Sequence, residues 1–223
     1  MIYMENMELN KLFENTLYIN LDHRKDRNEH IIKQLNGLGI QNYTRISAVD
    51  MTKENAGADV SVGCTLSHIK CLEYAKEKEW EYVFICEDDL RIIDLDLLKT
   101  SLNNLLKDKS LPNWNVLLLV ANLFNCEPPN TKISENIIRV RGCYCASGYV
   151  IKRSYYDTLI SCALKGLKDK IPMDVSWHEL QKLDTFIIPY PPSVTQGDLF
   201  YSDIEKQEMN YTSQLLDFNK GLS

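Results

Sequence analysis

The chain has 223 residues, of which 44% are hydrophobic and 25% charged, with a formal net charge of -6. That size supports one substantial core, or a main domain with a small appendage, and the composition is that of an ordinary soluble globular protein. The acidic balance argues against a general nucleic-acid binder, because a phosphate backbone needs a basic footprint; a local basic cleft for a nucleotide remains compatible with it. No run approaches the ~18 apolar residues of a membrane span. The opening MIYMENMELNKLFENT lacks the basic and apolar regions of a secretory signal. The seven cysteines are scattered, with no CxxC pair, so thiolate metal spacing is missing. The expectation is a cytoplasmic protein without structural disulfides, in which Cys143 and Cys145 share one face of a strand.

Residues 1–15 read as a mobile lead-in and 16–223 as a single domain. TLYINL (16–21) is a β run. Lys25 to Leu38 carries Ile31, Ile32, Leu35 and Leu38 on one helical face, with Gly37 and Gly39 ending it. Tyr43 to Val49 alternates like a strand. Gly63 begins a turn, Leu66 to Lys78 follows as a helix, and Tyr82 to Cys86 as a short apolar strand. This alternation is the grammar of a parallel α/β sheet. Leu95 to Leu106 is helical, and Trp114 to Val120 is a buried strand. Ile137 to Val140 and Tyr144 to Ile151 read as strands. Ser154, as N-cap, opens a helix to Leu167; Asp174 opens another over Val175 to Leu183. Phe186 to Ile188 is a strand, and Pro189, Pro191 and Pro192 force an extended exit. The expected fold is one α/β domain with a mostly parallel central sheet and a loop-rich C-terminal third.

The strand over 82–86 runs into three consecutive acids, Glu87-Asp88-Asp89. Adjacent carboxylates repel one another and resist burial, so a positive group is expected there. In an extended strand Glu87 and Asp89 share a side, at the carboxyl end where open α/β sheets bind ligands. Two carboxylates so placed suit a hard divalent cation, Mg²⁺ or Mn²⁺; a solvated turn would look the same in sequence. Between the first strand and helix, Asn20-Leu21-Asp22-His23-Arg24-Lys25-Asp26-Arg27 can hold a phosphate or ribose-base unit at a helix N-terminus, or be a solvated helix start. No GxGxxG or GKS/T pattern occurs. Ser67-His68 reads as helix capping, and Asp174 as an N-cap. His178-Glu179 lacks the second histidine of a zinc-protease motif.

Taken together, these blocks resemble glycosyltransferase family 25, the group of lipooligosaccharide galactosyltransferases and procollagen hydroxylysine galactosyltransferases. YINLDHRKDR (18–27) is similar to the family's opening strand-turn, and RISAVD (45–50) to its Ala-Val-Asp segment. GCTLSHIKCLEYA followed by EYVFICEDDL resembles its Gly-Cys-x-x-Ser-His helix and Glu-Asp-Asp strand. SGYVIKRSYYDTLI, PMDVSWHEL and PPSVTQGDLFYSDI are similar to its C-terminal blocks, so the likeness runs from about residue 16 to 204. The chain departs from the pattern at Val62, where a Glu often stands shortly upstream of Gly-Cys, at Met51 in place of a Gly, and at Cys145-Ala146-Ser147.

The resemblance implies a GT-A type fold and inverting, Mn²⁺- or Mg²⁺-dependent transfer of a sugar, galactose by preference, from its UDP conjugate. It implies Asp89 as direct metal ligand, with Glu87 aimed at ribose or a metal water, and Asp174 as the base that deprotonates the acceptor. Asn20, Arg24 and Arg27 would hold the nucleotide, Asp50 its uracil-ribose end, and Gln196 and Asp203 the diphosphate. Asp88 belongs to the same donor-binding set. Ser67 and His68 stand at the sugar end or behind the acidic loop. The acceptor would be a glycan, a lipid-linked sugar at a membrane face, or a peptide. The rival readings are a glycosyltransferase-like binding module without turnover, and a metal-dependent phosphohydrolase or nucleotidyltransferase. The latter needs further carboxylates from neighbouring strands, whereas Asp94 and Asp96 fall at a helix start.

Overall fold

A computed structural model of the protein describes residues 9–53, 59–197, 201–202, 207–208, 212–218 and 221–222. Strand β1 (Thr16–Asn20) is buried along its whole length, and its alternate side chains enter two separate cores. Leu17 and Ile19 join one cluster, Tyr18 the other. Helix α1 (Lys25–Leu38) buries Ile31 and Leu35 and stops at Gly39, whose φ of 87° lies in the left-handed region that glycine enters without a Cβ penalty. Strand β2 (Tyr43–Ser47) then pairs parallel with β1. Helix α2 (Val60–Glu77) carries the chain back over β1, and β3 (Tyr82–Glu87) pairs parallel on its other side. In the spatial order β2-β1-β3 the chain leaves β1 toward β2 and leaves β3 toward the opposite edge, so a crevice opens at the carboxyl ends of β1 and β3.

Beyond it come β4 (Leu90–Ile92), α3 (Leu95–Lys107), β5 (Val116–Leu118), β6 (Asn122–Leu123), β7 (Thr131–Lys132), β8 (Ile137–Val140), β9 (Cys143–Tyr144) and β10 (Gly148–Lys152). Helices α4 (Tyr156–Lys168), α5 (Met173–Ser176) and α6 (His178–Leu183) precede β11 (Phe186–Pro189), β12 (Val194–Gln196) and the short α7 (Thr212–Leu216). The central sheet has the order β2-β1-β3-β10-β5-β11-β8-β7. Its strands share one direction except β10 and β8, which run antiparallel to both neighbours. Helices α2 and α4 pack on one face with Leu72, Tyr149 and Trp177; α1 and α3 pack on the other with Phe84 and Leu102. The result is a mixed α/β architecture with a mostly co-directional sheet between two helical layers. Among the described residues, no helix is long and apolar enough to cross a membrane.

Several sequence expectations need correction. Residues 9–13 are helical, and Leu12 and Phe13 are buried, Phe13 lying edge-on to Phe84 at 5.1 Å; this part of the lead-in closes the core rather than trailing from it. Helix α2 starts at Val60, capped by the Asp59 carboxylate on the Ser61 N–H, so Gly63 is helical and Ser67-His68 lie mid-helix instead of capping it. Ser154 caps nothing: a 3₁₀ turn spans Arg153–Tyr155 before α4. The run 144–151 is two strands, broken at Cys145, whose φ is 84°. Cys143 and Cys145 therefore share no strand face; all seven cysteines are free. The segment after Pro172 is two short helices with Asp174 inside the first, not at its cap. Two strands of the C-terminal third, β10 and β11, lie inside the central sheet.

Candidate active site

The alternation of β3 decides where its terminal acids go. Val83 and Ile85 face the α2 side and Phe84 and Cys86 the α1 side, so Glu87 meets α2 and Asp88 meets α1. Glu87 Oε1 is 3.0 Å from His68 Nε2 and accepts from the Cys64 thiol at 3.4 Å, while Oε2 accepts from the Ser147 hydroxyl at 3.1 Å. His68 is fully buried, its Nδ1 3.1 Å from the Tyr149 hydroxyl. Burial raises the Glu87 pKa, but His68, Cys64 and Ser147 more than offset this and leave it below the ordinary carboxylate range. Cys64, His68 and Glu87 bring three potential ligand atoms within 4.8 Å. Burial and the Glu87 charge push the Cys64 thiol up, and with that thiol and His68 hydrogen-bonded to Glu87 the cluster reads as a support behind the carboxylate.

Asp88 accepts from Arg27 Nη1 at 3.1 Å and from the Asn20 amide at 2.7 Å. The Asn20 amide is itself fixed by Arg45, whose Nε donates to Asn20 Oδ1 at 3.0 Å and whose Nη2 reaches the Asn20 carbonyl and Asp22. Arg27 thus supplies part of the positive charge that the acidic triplet demands. The strand ends at Glu87, and Asp88-Asp89 form the turn into β4. Strand alternation consequently does not set the direction of Asp89, which lies beside Asp88 with Oδ2 3.6 Å from Arg27. Asp89 Oδ1 is buried with no hydrogen-bond partner among the described residues. Burial, then repulsion from Glu87, pushes the Asp89 carboxyl up to about 7. Its carbonyl accepts from the Gly197 N–H, and β12 pairs antiparallel with β4, so the C-terminal segment is stitched to the acidic turn.

These groups line a cavity of about 560 Å³ that also includes His23, Asp50, Ser67, Tyr144, Asp174 and Gln196. Asp174, on α5 across the cavity, accepts from the Cys145 N–H at 3.3 Å; burial raises its pKa, the N–H lowers it, and Glu87 adds to the rise. The left-handed backbone of Cys145, uncommon for a residue with a Cβ, aims that N–H. Asp50 accepts from the Thr52 N–H and hydroxyl and lies 3.7 Å from His23. Ser67 donates to the Gly63 carbonyl at 2.6 Å and accepts from the Val49 N–H at 2.9 Å, fastening α2 to the segment after β2. Gly63 lies so close that a Cβ there would sit 2.3 Å from the Val49 carbonyl oxygen.

Of the residues singled out from sequence, the cavity gathers Asn20, Arg27, Asp50, Ser67, Glu87, Asp88, Asp89, Asp174 and Gln196. His68 stands behind Glu87, outside the lining. Arg24 also lies outside it, with its guanidinium on both oxygens of Asp26. Asp203 falls outside the described residues. Arg45, Cys64, Ser147 and Tyr149 escaped notice as site residues although all four belong to the blocks quoted above. Arg45 had a legible signal, a long cation in a strand register next to the basic first loop.

The family model for glycosyltransferase family 25 (LPS biosynthesis protein) matches residues 58–177, over half of the chain. No curated protein matches in sequence. Among solved structures, the chain is similar to the A197 protein of STIV, at 12% identity over 78% of this chain and 80% of that one, TM-score 0.45. It is also similar to a glycosyltransferase involved in glycosylation of the major capsid of PBCV-1, at 12% identity over 79% and 91%, TM-score 0.39. A Drosophila β-1,4-galactosyltransferase 7 mutant in complex with manganese, UDP-Gal and xylobiose aligns at 8% identity over 88% and 74%, TM-score 0.41. The assignment rests on the family match, whose span holds α2, the acidic strand end and Asp174. The chain belongs to glycosyltransferase family 25.

Proposed function

We propose that the protein is an inverting, metal-dependent glycosyltransferase of GT-A type that moves a hexose, galactose by preference, from a UDP-sugar to a glycan, lipooligosaccharide or hydroxylysine-type acceptor. The observation that carries this reading is the buried Asp89 Oδ1, which no group among the described residues bonds, on a residue lining a cavity with a second carboxylate, Asp174, on its far wall. An orphaned carboxylate oxygen is costly unless a ligand completes it. The donors gathered there are hard oxygens, which fits Mn²⁺ or Mg²⁺. Asp89 would hold the cation with Glu87, the carboxylate whose pKa His68 keeps low. A bound cation would neutralise charge developing on the UDP leaving group.

The chain's own residues supply the rest. Arg27, Asn20 and Asp88 form one hydrogen-bonded unit at the end of β1, suited to orienting the nucleotide; Asp50 and Gln196 line the same cavity and would contact the uracil-ribose end and the diphosphate. Asp174 would take the proton from the acceptor hydroxyl as that oxygen attacks the anomeric carbon and UDP departs from the opposite face. Its raised pKa brings it nearer the operating pH of a general base.

A thermal-shift screen of UDP-sugars with and without Mn²⁺ tests the donor assignment. Stabilisation should follow RT ln(1 + [L]/Kd) for one UDP-sugar and require the cation. UDP release measured with that sugar then separates an enzyme from a binding module, which would be stabilised without releasing UDP. Absence of any UDP-sugar shift at millimolar concentration would sink the donor reading.

A further inference from the structure

The cavity wall beside Asp174 carries a feature that donor binding does not use. Tyr144 lines the cavity and is 42% exposed, the large aromatic side chain most open to solvent there. It is held from behind by two other rings. Phe124 lies 4.8 Å from it and His178 5.0 Å, and Phe124 and His178 are themselves 5.0 Å apart. Two hydrogen-bonded links fix the trio: β6 pairs with β9 through Asn122 and Tyr144, and the His178 side chain donates from Nε2 to the Cys143 carbonyl at 3.0 Å. That hydrogen bond fixes the ring; burial lowers the His178 pKa, and the bond to the Cys143 carbonyl offsets part of that fall. An exposed tyrosine backed this firmly loses little freedom when a ligand lies on it.

We infer that Tyr144 is the platform for the acceptor, and that the acceptor presents a pyranose ring rather than an extended peptide. The axial C–H bonds of a pyranose make one face apolar, and such a face stacks on an aromatic ring while the hydroxyls stay solvated or hydrogen-bonded. The neighbour of Tyr144, Cys145, donates its N–H to Asp174 Oδ2. One short segment therefore supplies both the stacking surface and the support for the carboxylate that would receive the acceptor proton. The half-exposed Val175, next to Asp174 on α5, widens the apolar floor, and Asn122 adds an amide for a hydroxyl at its edge. A few polar groups set in an apolar, aromatic wall are the usual make-up of a small-ligand subsite. This inference rests on the functional reading above for the role of Asp174.

Saturation-transfer difference NMR on the whole chain tests it without turnover, using methyl β-D-galactopyranoside and methyl β-D-glucopyranoside first alone and then with UDP and diamagnetic Mg²⁺, with a hydroxylysine peptide alongside. Saturation should concentrate on the C–H protons of one ring face. It should fall several-fold in Tyr144→Ala and persist in Tyr144→Phe, because stacking needs the ring and not the hydroxyl. Three results would overturn the platform: equal saturation in Tyr144→Ala, binding by the peptide alone, or loss of the glycoside signal when UDP is added, which would place uracil on Tyr144 instead. Tyr144→Leu, checked by its melting curve, repeats the test with an apolar non-aromatic side chain. The donor reading fails separately, by absence of any UDP-sugar thermal shift while the glycosides still bind.

Discussion

The two walls of the cavity are built on opposite plans. At the ends of β1 and β3, Glu87 and Asp88 each have two or more protein partners, and behind them His68 and Asn20 are fixed in turn by Tyr149 and Arg45. Across the cavity, Asp174 accepts the Cys145 N–H and no side-chain hydrogen bond among the described residues, and Tyr144 leaves much of its ring to solvent. A fully partnered wall costs little reorganisation when it meets a charged ligand of fixed shape, which suits a nucleotide diphosphate. A sparsely partnered wall leaves its remaining contacts to be made by whatever enters second. Asp89 belongs to the first wall by position but shares the second wall's incompleteness, and that sets the strongest test.

Asp89→Asn should lower transfer by about 10³-fold or more, as removal of a transition-state charge stabiliser does, and should abolish Mn²⁺-dependent stabilisation by the donor. The same variant should gain stability without metal. With its folded pKa near 7, above the unfolded value of 3.8, Asp89 binds a proton in the folded state that the unfolded chain has released. Metal-free wild-type protein should therefore lose stability as pH rises from about 4 through 7, and Asp89→Asn should flatten that slope and melt higher at pH 8. A variant that is both inactive and less stable at pH 8 would contradict the assignment. The Mn²⁺ concentration needed for donor stabilisation should rise as pH falls below 7, because a proton on Asp89 competes with the cation.

Asp174→Asn tests the opposite wall. It should reduce kcat by about 10²- to 10⁴-fold while leaving the donor's thermal shift intact, since Asp174 stands apart from the partnered corner. Loss of donor binding in this variant would merge the two walls into one. Gly63→Ala should act on the scaffold, costing about 1–3 kcal/mol through the clash with the Val49 carbonyl; in a domain this size that lowers Tm by about 2–4 °C per kcal/mol. Ser67→Ala should cost about 1 kcal/mol, since it removes the tether to the Val49 N–H, and should leave the kcat ratio between donors unchanged.

The parallel half of the fold was legible because β1 and β3 are short apolar runs that end in unmistakable charge, and α1 has a clean apolar stripe. The start of α2 was not legible. Its first turns, Val60-Ser61-Val62-Gly63, are poor helix formers, and they are helical because Gly63 lets the helix press against the Val49 carbonyl while Asp59 caps it. The acids of the site could be picked out by type and position, but their division of labour could not. Asp89 leaves the strand geometry at the turn, and although α1 itself was legible, its local sequence does not say that Arg27 reaches both aspartates more than sixty residues on. The aromatic trio was hidden for a different reason. Tyr144 comes from a two-residue strand, His178 from a short helix and Phe124 from the loop just after β6, all too brief to show a period, and only their packing brings them together.

The pairing of β4 with β12 also bears on how the protein is made. The acidic turn is synthesised early, but the strand that braces it and the Gly197 N–H that holds the Asp89 carbonyl emerge from the ribosome more than a hundred residues later. Contacts of such long sequence separation form late in folding. An unfinished chain would therefore display its acidic corner without the brace that positions it, and nucleotide affinity should appear only when the last strands have been added.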